Sequence, residues 1–295
     1  MSSAVLSYKL IKKIKDEKFD VDNLHQYTLL LHLGTRDLQV GIVDNNDRML
    51  FFEDYIFQNL NSNEDQLRLL QDLFEAHHLL SAGFWQKVVF SIKNNKFVQV
   101  PESLFIEEAA VEYLQTNAKF NSEKETVLYC RNQLNKAVTV FTIGNNLKEW
   151  VIGLYPNSQV KFIHQSTCLI EGILNFSSRV DQPSLYIYID RFKLHVISAK
   201  DGLLHYYNQF PIQQFSDYVR YIMLVLNAMK MQQEKSQIIL WGYIGKNSPH
   251  SIEFSKYIKN VTFGSRPDYL KFGYLFDELQ DHHFMDLYAM QLLSH

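Results

Sequence analysis

The same order of apolar and polar positions occurs twice along this chain. In the first copy, three short stretches of apolar or alternating residues are separated by two tight turns that carry Gly, Asp and Asn. A stretch with apolar residues at helical spacing follows, and then a compact apolar stretch. The predicted elements of this copy are strands at Tyr27 to Leu33, Leu38 to Val43 and Arg48 to Phe57, a helix from Asn63 to His78, and a strand at Lys87 to Ile92.

The second copy repeats this order in the C-terminal part of the chain. Its predicted elements are strands at Ser184 to Asp190, Phe192 to Val196 and Leu203 to Phe210, a helix at Phe215 to Met229, and a strand at Gln237 to Trp241. The two copies begin 157 residues apart, at Tyr27 and Ser184, which is far longer than the repeat of a solenoid. The pattern therefore predicts a duplicated domain and not an array of small repeats.

Two segments stand outside this repeat. Met1 to Asn23 carries lysines and acidic residues whose charges largely cancel, and it is predicted to be a solvated arm with a short helix. Thr126 to Arg131 and Ala137 to Ile143 are two further predicted strands between the copies. These two strands indicate an insertion near residues 121–158 of the first copy.

A strand at Val160 to His164 and a helix at Ser166 to Ser178 lead from the insertion into the second copy. We predict a first domain over residues 1–180, which contains the insertion, and a second domain over residues 181–295. Strands and helices in this order are typical of an α/β protein with mixed sheets flanked by helices.

Composition limits the classes of function. The 295 residues are 46% hydrophobic, which excludes a disordered chain. A net charge of −3 offers no positive field for nucleic acid. Two cysteines, Cys130 and Cys168, are too few for a disulfide framework or a zinc site, and no signal-peptide pattern is present, so we expect a cytoplasmic protein. No apolar run reaches the roughly 18 residues that a membrane span needs.

Four short motifs fall at corresponding places in the duplicated pattern. They are Leu31-His32-Leu33-Gly34-Thr35 after the first strand, His164 to Gly172 before the second copy, Ile187-Tyr188-Ile189-Asp190 at the end of that copy's first strand, and Ile238-Ile239-Leu240-Trp241-Gly242 after its helix. The pattern and the motifs together resemble the actin-like ATPase superfamily of actin, sugar kinases, heat-shock chaperones and pilus-assembly ATPases. The resemblance implies two ribonuclease H-like domains, with Gly34, Thr35 and Asp190 at the phosphates of magnesium-bound ATP and Gly242 at its adenosine.

The chain departs from the superfamily pattern at its charged and glycine positions. His32 stands where the superfamily has its first aspartate, and an imidazole cannot replace a carboxylate toward hydrated magnesium, which prefers oxygen ligands. Arg191, Phe192 and Lys193 stand where a glycine pair would let the backbone approach phosphate. The chain therefore most resembles an uncharacterised bacterial family of degenerate actin-like proteins, for which no cofactor and no catalytic residue are expected.

Each candidate residue also has a purely structural interpretation. Gly34 suits a tight hairpin turn, and Asp190 at a strand end suits capping of the next turn. Arg191 and Lys193 fit either an anion site or ordinary solvent-facing alternation. His32 lies in an apolar strand, where a hydrogen-bonded core histidine is common. No metal-ligand spacing is present among the histidines or cysteines.

The leading functional hypothesis from the sequence is a catalytically degenerate actin-like protein that acts as a protein-interaction or assembly module. Its protein partner is not identified by any motif, and neither nucleic acid nor a membrane span is expected. The alternative is a divergent ATPase or kinase that keeps weak nucleotide binding through Gly34, Thr35, Asp190 and Gly242. A cleft that binds another small molecule is a third possibility, which no motif supports.

Overall fold

The computed structural model describes residues 6–178, 184–191, 193–232, 234–246 and 248–294. The strands are β1 (Ser7–Lys15), β2 (Thr28–Leu33), β3 (Asp37–Val43), β4 (Arg48–Gln58), β5 (Lys87–Ile92), β6 (Phe97–Pro101), β7 (Glu125–Arg131), β8 (Ala137–Gly144), β9 (Gln159–His164), β10 (Ser184–Ile189), β11 (Lys193–Lys200), β12 (Leu203–Pro211), β13 (Gln237–Gly242), β14 (Val261–Phe263) and β15 (Lys271–Phe272).

Helices connect these strands. The α-helices are α1 (Asn63–Ala76), α2 (Ala110–Gln115), α3 (Asn145–Leu154), α4 (Gln165–Ser177), α5 (Phe215–Ala228), α6 (Pro249–Tyr257) and α7 (Met285–Ala289). Short 3-10 helical segments lie at Val21–Gln26, Glu102–Leu104, Glu107–Ala109, Tyr274–Glu278 and Met290–Leu293. None of the helices among the described residues is long and apolar enough to cross a membrane. Phe192, which was expected to fill the second phosphate loop, lies outside the described residues.

Apart from the extra edge strand β1 of the first sheet, the two main sheets have the same order and the same strand directions. In the first, the order is β1-β4-β3-β2-β5-β9, and in the second it is β12-β11-β10-β13-β14. Each sheet contains an antiparallel meander of three strands, and each meander is extended by two parallel strands. The predicted duplication of a ribonuclease H-like domain is therefore confirmed.

The central strands of each copy are buried along their whole length. β2, β3 and β10 have no exposed residue, which explains their nearly continuous apolar sequence. The first sheet packs in one core with Leu70 and Phe74 of α1, and the second sheet packs with Ile222 and Leu226 of α5. The helical spacing of apolar residues thus places both helices against their sheets.

The insertion forms a small sheet of its own, in the order β6-β8-β7. It begins earlier than the predicted residues 121–158, because β6 and α2 also belong to it. The two predicted strands are β7 and β8, and the sequence pattern missed β6 and α3. Helix α2 covers this sheet, and Val100, Leu114, Val138 and Val140 form a separate small core there. The insertion is therefore a compact unit beside the first sheet.

The prediction of a solvated N-terminal arm is wrong. Residues 7–15 form β1, which pairs antiparallel with β4 at the edge of the first sheet. Arg48 of β4 binds the buried carboxylate of Asp16 through Nε at 3.0 Å and Nη2 at 2.9 Å, and this pair holds the end of β1 in place. The arm is a strand because its Ile14 side chain is buried in the core of the first half while its lysines stay at the surface.

The C-terminal segment returns to the first half of the molecule. β15 pairs with β4 of the first sheet, and the buried residues Leu287, Tyr288 and Met290 belong to the core of that sheet. The division of the chain near residue 180 stays a prediction about domains. These contacts mean that the segment from β15 onward helps to complete the first core.

Candidate functional site

A cavity of about 310 Å³ lies where the two halves meet. Its lining brings together three of the four residues that the resemblance implied, together with Lys193 and residues that the sequence did not mark. The lining residues are Gly34, Thr35, Arg36, Asp37, Lys93, Asp190 and Lys193. Gly242, the fourth predicted residue, is not part of this lining. Three of the four residues that the superfamily resemblance implied therefore lie together at the junction, whereas Gly242 does not line the cavity.

Gly34 is required by the close packing of the turn between β2 and β3. A Cβ atom at this position would lie 1.9 Å from Oδ1 of Asp37. The amide of Gly34 donates to the carbonyl of Asp37 at 2.9 Å, and Nε2 of Gln66 donates to the carbonyls of Gly34 and Thr35 at 2.7 and 3.0 Å. The hairpin-turn interpretation of Gly34 agrees with this geometry, while the Thr35 side chain is exposed.

Gly242 is required by the approach of two strands. Its φ of +94° is in the left-handed region, and a Cβ atom would lie 2.1 Å from the carbonyl oxygen of Ile189. Its amide donates to the carbonyl of His282 at 2.8 Å, and the next amide, of Tyr243, donates to that of Ile189 at 2.7 Å. The glycine thus lets the chain turn from β13 across the end of β10.

The ammonium group of Lys93 is buried at the centre of the site. Nζ donates to Oδ2 of Asp37 at 2.9 Å and to Oε1 of Gln39 at 2.8 Å, and it lies 4.0 and 3.9 Å from carboxylate oxygens of Asp190 and Asp286. Burial alone would lower the pKa of Lys93, but the three carboxylates more than offset this effect and the pKa is raised. Lys93 is therefore a permanent cation between the halves.

The carboxylate of Asp286 lies opposite His32, at the place where the resemblance implied the first aspartate. Oδ2 of Asp286 is 2.8 Å from Nε2 of His32 and accepts from Nε2 of Gln165 at 2.9 Å, while Tyr188 donates to Oδ1. Burial would raise the pKa of Asp286, but His32 and Lys93 hold this pKa below its ordinary value.

The protonation of His32 follows from these contacts. A carboxylate can only accept, so Nε2 of His32 carries the proton, and Nδ1 is buried with no partner among the described residues. The prediction that His32 is a hydrogen-bonded core histidine is confirmed.

Arg191 joins the second half to the first. Its guanidinium donates from Nη1 to Asp54 at 3.0 Å and to Asp37 at 3.3 Å, and Nη2 pairs with the second Asp54 oxygen. It lies 4.2 Å above the ring of Tyr243, whose hydroxyl accepts from Nε2 of Gln39 at 2.7 Å. Solvent-facing alternation does not describe Arg191, because its cation is engaged inside the molecule.

Asp190 has the capping role expected from its place at a strand end. Its Oδ1 accepts from the amide of Arg191 at 2.7 Å, and its own amide donates to the carbonyl of Lys193 at 2.9 Å. Its other oxygen accepts from Nε2 of Gln165 at 3.0 Å. Burial lowers the pKa of Lys193, which lines the cavity together with the cationic side chains of Lys93 and Arg36.

Several residues of this site were not predicted from the sequence, namely Asp37, Gln39, Asp54, Lys93, Gln165, Tyr243 and Asp286. Gln39 and Lys93 lie in or directly after apolar strands, where a polar residue is unusual, and this was the available signal. Asp286 carried no such signal, because its partners are remote in sequence. Within the described ranges, no group of three or more His, Cys, Asp or Glu side chains is arranged to hold a metal ion.

A second, larger cavity opens beside the site. This groove of about 850 Å³ lies between α1 and the insertion, and it shares Gly34, Thr35 and Lys93 with the first cavity. Its walls include Gln66 of α1 and Asn145 at the start of α3. The junction is thus connected to the surface on the side of the insertion.

The sequence of residues 16–261 matches the family described as protein of unknown function, DUF3822. The chain belongs to this family. That description assigns its members no activity, and no curated protein matches the chain.

Two solved structures show the fold of this DUF3822 protein. One is a protein with actin-like ATPase fold and unknown function from Bacteroides thetaiotaomicron, which is 23% identical, covers 93% of this chain and 98% of its own, and has a TM-score of 0.77. The other belongs to the PilM–PilN type IV pilus biogenesis complex, with 11% identity, coverage of 90% and 98%, and a TM-score of 0.61. The α/β, actin-like architecture is thus established over most of the chain, and the expectation of an actin-like family without a known function is confirmed.

Proposed function

We propose that this chain is a catalytically degenerate actin-like protein that acts as a protein-interaction or assembly module in the cytoplasm. In this proposal, the junction between the halves is a scaffold and not a nucleotide site. The observation that carries the proposal is the buried ammonium group of Lys93, which lies within 4.0 Å of the carboxylates of Asp37, Asp190 and Asp286.

The poor fit of a magnesium ion to this cluster supports the proposal. The resemblance implies that strand-end carboxylates organise magnesium. Here the ammonium group of Lys93 already lies among these carboxylates. Two unit charges at 4 Å repel by about 4 kcal/mol at an effective dielectric constant near 20, and a divalent ion would double this cost. His32 also offers nitrogen where magnesium prefers oxygen.

The space and charge of the junction also support it. The cavity that Asp37 and Asp190 line measures about 310 Å³, at the small end of the roughly 300 to 1,000 Å³ typical of ligand sites, and the adjoining groove of about 850 Å³ is lined by neither of these carboxylates. The stacked side chains of Arg191 and Tyr243 occupy the space beside this cavity. Among the described residues of the junction, four carboxylates face four cationic side chains, so these charges balance and leave no surplus positive charge for a triphosphate; the residues are Asp37, Asp54, Asp190, Asp286, Arg36, Lys93, Arg191 and Lys193.

A role in binding other proteins is supported by a structural neighbour. The similar chain from the PilM–PilN type IV pilus biogenesis complex is found in a complex with another protein. Both cysteines are free and buried, which suits a reducing compartment. In this proposal the chain needs no nucleotide for its fold and acts through surface contacts.

Differential scanning calorimetry with magnesium-ATP tests the proposal. A bound ligand at ten times its Kd would add about 1.4 kcal/mol to the free energy of unfolding and so raise the melting temperature. Since the proposal excludes a nucleotide site, we expect the melting temperature to stay unchanged up to about 1 mM ATP. Magnesium chloride alone and ATP with EDTA control for ionic effects. A saturable rise that requires both magnesium and ATP would overturn the proposal.

The alternative, a divergent ATPase or kinase, is favoured by one observation. Gly34, Thr35 and Asp190 do line a single cavity, as nucleotide binding would require. This alternative predicts phosphate release or transfer that is lost in Asp190→Ala and kept in the exposed control Asp72→Ala. Purified chain without such activity would exclude it.

A further inference from the structure

The insertion carries an exposed surface that is both apolar and acidic. Leu104, Ile106 and Val111 are 65%, 59% and 40% exposed. The hydroxyl of Tyr113 donates to the carbonyl of Leu104 at 2.6 Å, which folds the segment so that α2 lies beside Leu104. Exposed glutamates surround the three apolar side chains. We call this surface the acidic patch; it comprises Leu104, Ile106, Glu107, Glu108, Val111 and Glu112.

Strand β1 carries a surface of the opposite charge. Tyr8, Leu10 and Ile11 are 37%, 42% and 44% exposed, and lysines alternate with them. β1 is the outermost strand of its sheet, so the backbone groups on its free side have no strand partner among the described residues. We call this surface the basic strand; it comprises Tyr8, Lys9, Leu10, Ile11, Lys12, Lys13 and Lys15.

Two of the four lysines are available to an external partner. Lys12 pairs with Glu278, and Lys13 pairs with the buried carboxylate of Glu53 at 2.8 Å. Lys9 and Lys15 form no ion pair within the described chain and both are exposed, and the ammonium group of Lys15 lies 5.3 Å above the ring of Phe19. On the acidic patch, Glu108 and Glu112 are likewise exposed and without an ion pair in the part of the chain that the structure describes. The two surfaces therefore offer matched, unneutralised charges.

The two surfaces lie at opposite ends of the first half. β1 is the first strand of the six-strand order and β9 is the last, and the insertion packs beside β9 through β7. Five strand spacings of about 4.8 Å separate β1 from β9 by about 24 Å. One chain therefore cannot join its own two surfaces, and a contact between them must link different molecules.

We propose that the basic strand of one molecule docks on the acidic patch of a second copy of this chain, in a head-to-tail contact. Such a contact uses two different surfaces, so each molecule keeps one of them free and the assembly grows into a linear oligomer. Lysines on an edge strand usually prevent pairing with a strand of another molecule. On β1, however, the exposed side chains of Leu10 and Ile11 lie beside the lysines and provide an apolar area that a contact can bury. This inference rests on the proposed function, in which the chain acts through surface contacts. It names the partner as a second copy of the same chain.

Sedimentation velocity at increasing protein concentration tests the contact. We expect oligomers at about 50 mM salt that dissociate at about 500 mM, because screening shortens the range of the charges. Two double variants should each weaken association by tenfold or more. One combines Glu108→Lys with Glu112→Lys, and the other combines Lys9→Glu with Lys15→Glu. The matched control is Asp72→Lys with Glu75→Lys on α1, which should assemble like the unmodified chain. Circular dichroism melting curves verify that each variant is folded.

Mixing the two charge-reversed variants provides the decisive measurement. In the mixture, each reversed surface meets its complement on the other variant, so association should return and the two chains should alternate. A chain that stays monomeric at about 100 µM in low salt, reversed variants that still assemble alone, or a mixture that stays monomeric would each overturn the inference. None of these results would affect the test with magnesium-ATP, so the proposed function and this inference fail independently.

Discussion

The ammonium group of Lys93 offsets the repulsion among the buried carboxylates of Asp37, Asp190 and Asp286. The side chain follows directly after β5 and is 4% exposed, and its ammonium contacts groups from both halves. Buried carboxylates without a cation are strongly destabilising, so the cost of losing Lys93 exceeds the value of its own hydrogen bonds.

Replacement of Lys93 by methionine should therefore lower the free energy of unfolding by about 3 to 5 kcal/mol. Methionine keeps the length of the side chain and removes the charge. Urea unfolding followed by fluorescence measures the change, with the exposed Lys119→Met as the control near zero. A loss below about 1 kcal/mol would contradict the central role given to this cation.

The backbone at Gly242 allows a second prediction for a single residue. Gly242→Ala introduces a Cβ atom that would lie 2.1 Å from the carbonyl oxygen of Ile189, at a positive φ, so we expect a loss of about 1 to 3 kcal/mol. Gly153→Ala in α3 is the matched control, because open space surrounds that position and alanine favours a helix by up to about 1 kcal/mol. Thermal unfolding of the two variants should shift in opposite directions.

Buried histidines make stability dependent on pH. Burial lowers the pKa of His195 to about 3, whereas the unfolded chain has a value near 6.5. The unfolded state therefore binds an extra proton between these values, and stability falls as the pH drops from about 6.5 toward 3, by up to about 1.4 kcal/mol per pH unit. His195→Asn should flatten this slope in urea unfolding, while the exposed His205→Asn should leave it unchanged.

The individual elements differ in how well the local sequence defines them. The ten strands and helices of the two copies follow from apolar spacing and turn residues, because these act within a few positions. β1 was missed because its lysines, which lie on the solvent side of an edge strand, give the segment the pattern of a solvated arm. β6 was missed because the small core of the insertion, to which its Val100 belongs, imposes no clear period on so short a strand. Helix α3 was missed although its Val151 is buried in the core of the first half.

The return of α7 to the first sheet leads to a prediction for that element. Leu287 of α7 packs against Gly41 in β3, since its Cδ2 atom would lie in ordinary contact, at 3.6 Å, with a Cβ at that position. Leu287→Ala should cost about 2 to 5 kcal/mol, because the side chain is fully buried and its removal leaves a cavity. Tyr274→Ala, which is 67% exposed, is the control for the same segment. If calorimetry showed that Leu287→Ala and Tyr274→Ala lower the melting temperature equally, α7 would not stabilise the first core.

For the molecule as a whole, the important contacts are those that cross between the halves. Arg191, Lys93 and Tyr243 all take part in them, and their charges and hydroxyl groups are satisfied across the junction. Such contacts restrict the opening of the junction, because opening it would separate buried ions from their partners. The molecule should therefore behave as one closed unit.

Arg191 tests this view. Arg191→Lys keeps the charge but loses the fork toward Asp54 and the stacking on Tyr243, so the junction should open more often. Hydrogen exchange followed by mass spectrometry should show faster exchange around Asp54 and Tyr243, and a larger effect in Arg191→Met. The exposed Arg220→Lys is the control. Exchange rates like those of the unmodified chain would exclude a role for Arg191 in holding the halves together.

Local patterns were sufficient for the duplicated order of strands, since periodicity and turn chemistry depend on near neighbours. The resemblance that these patterns carry singled out Gly34, Thr35 and Asp190, which line one cavity. These patterns could not reveal which charges meet there. Asp286 and His32 are 254 positions apart, and Arg191 and Asp54 are 137 apart, so their pairing exists only once the C-terminal segment has returned to the first sheet. Charge pairs at such separations depend on the packing of whole sheets, and only the folded chain brings them together.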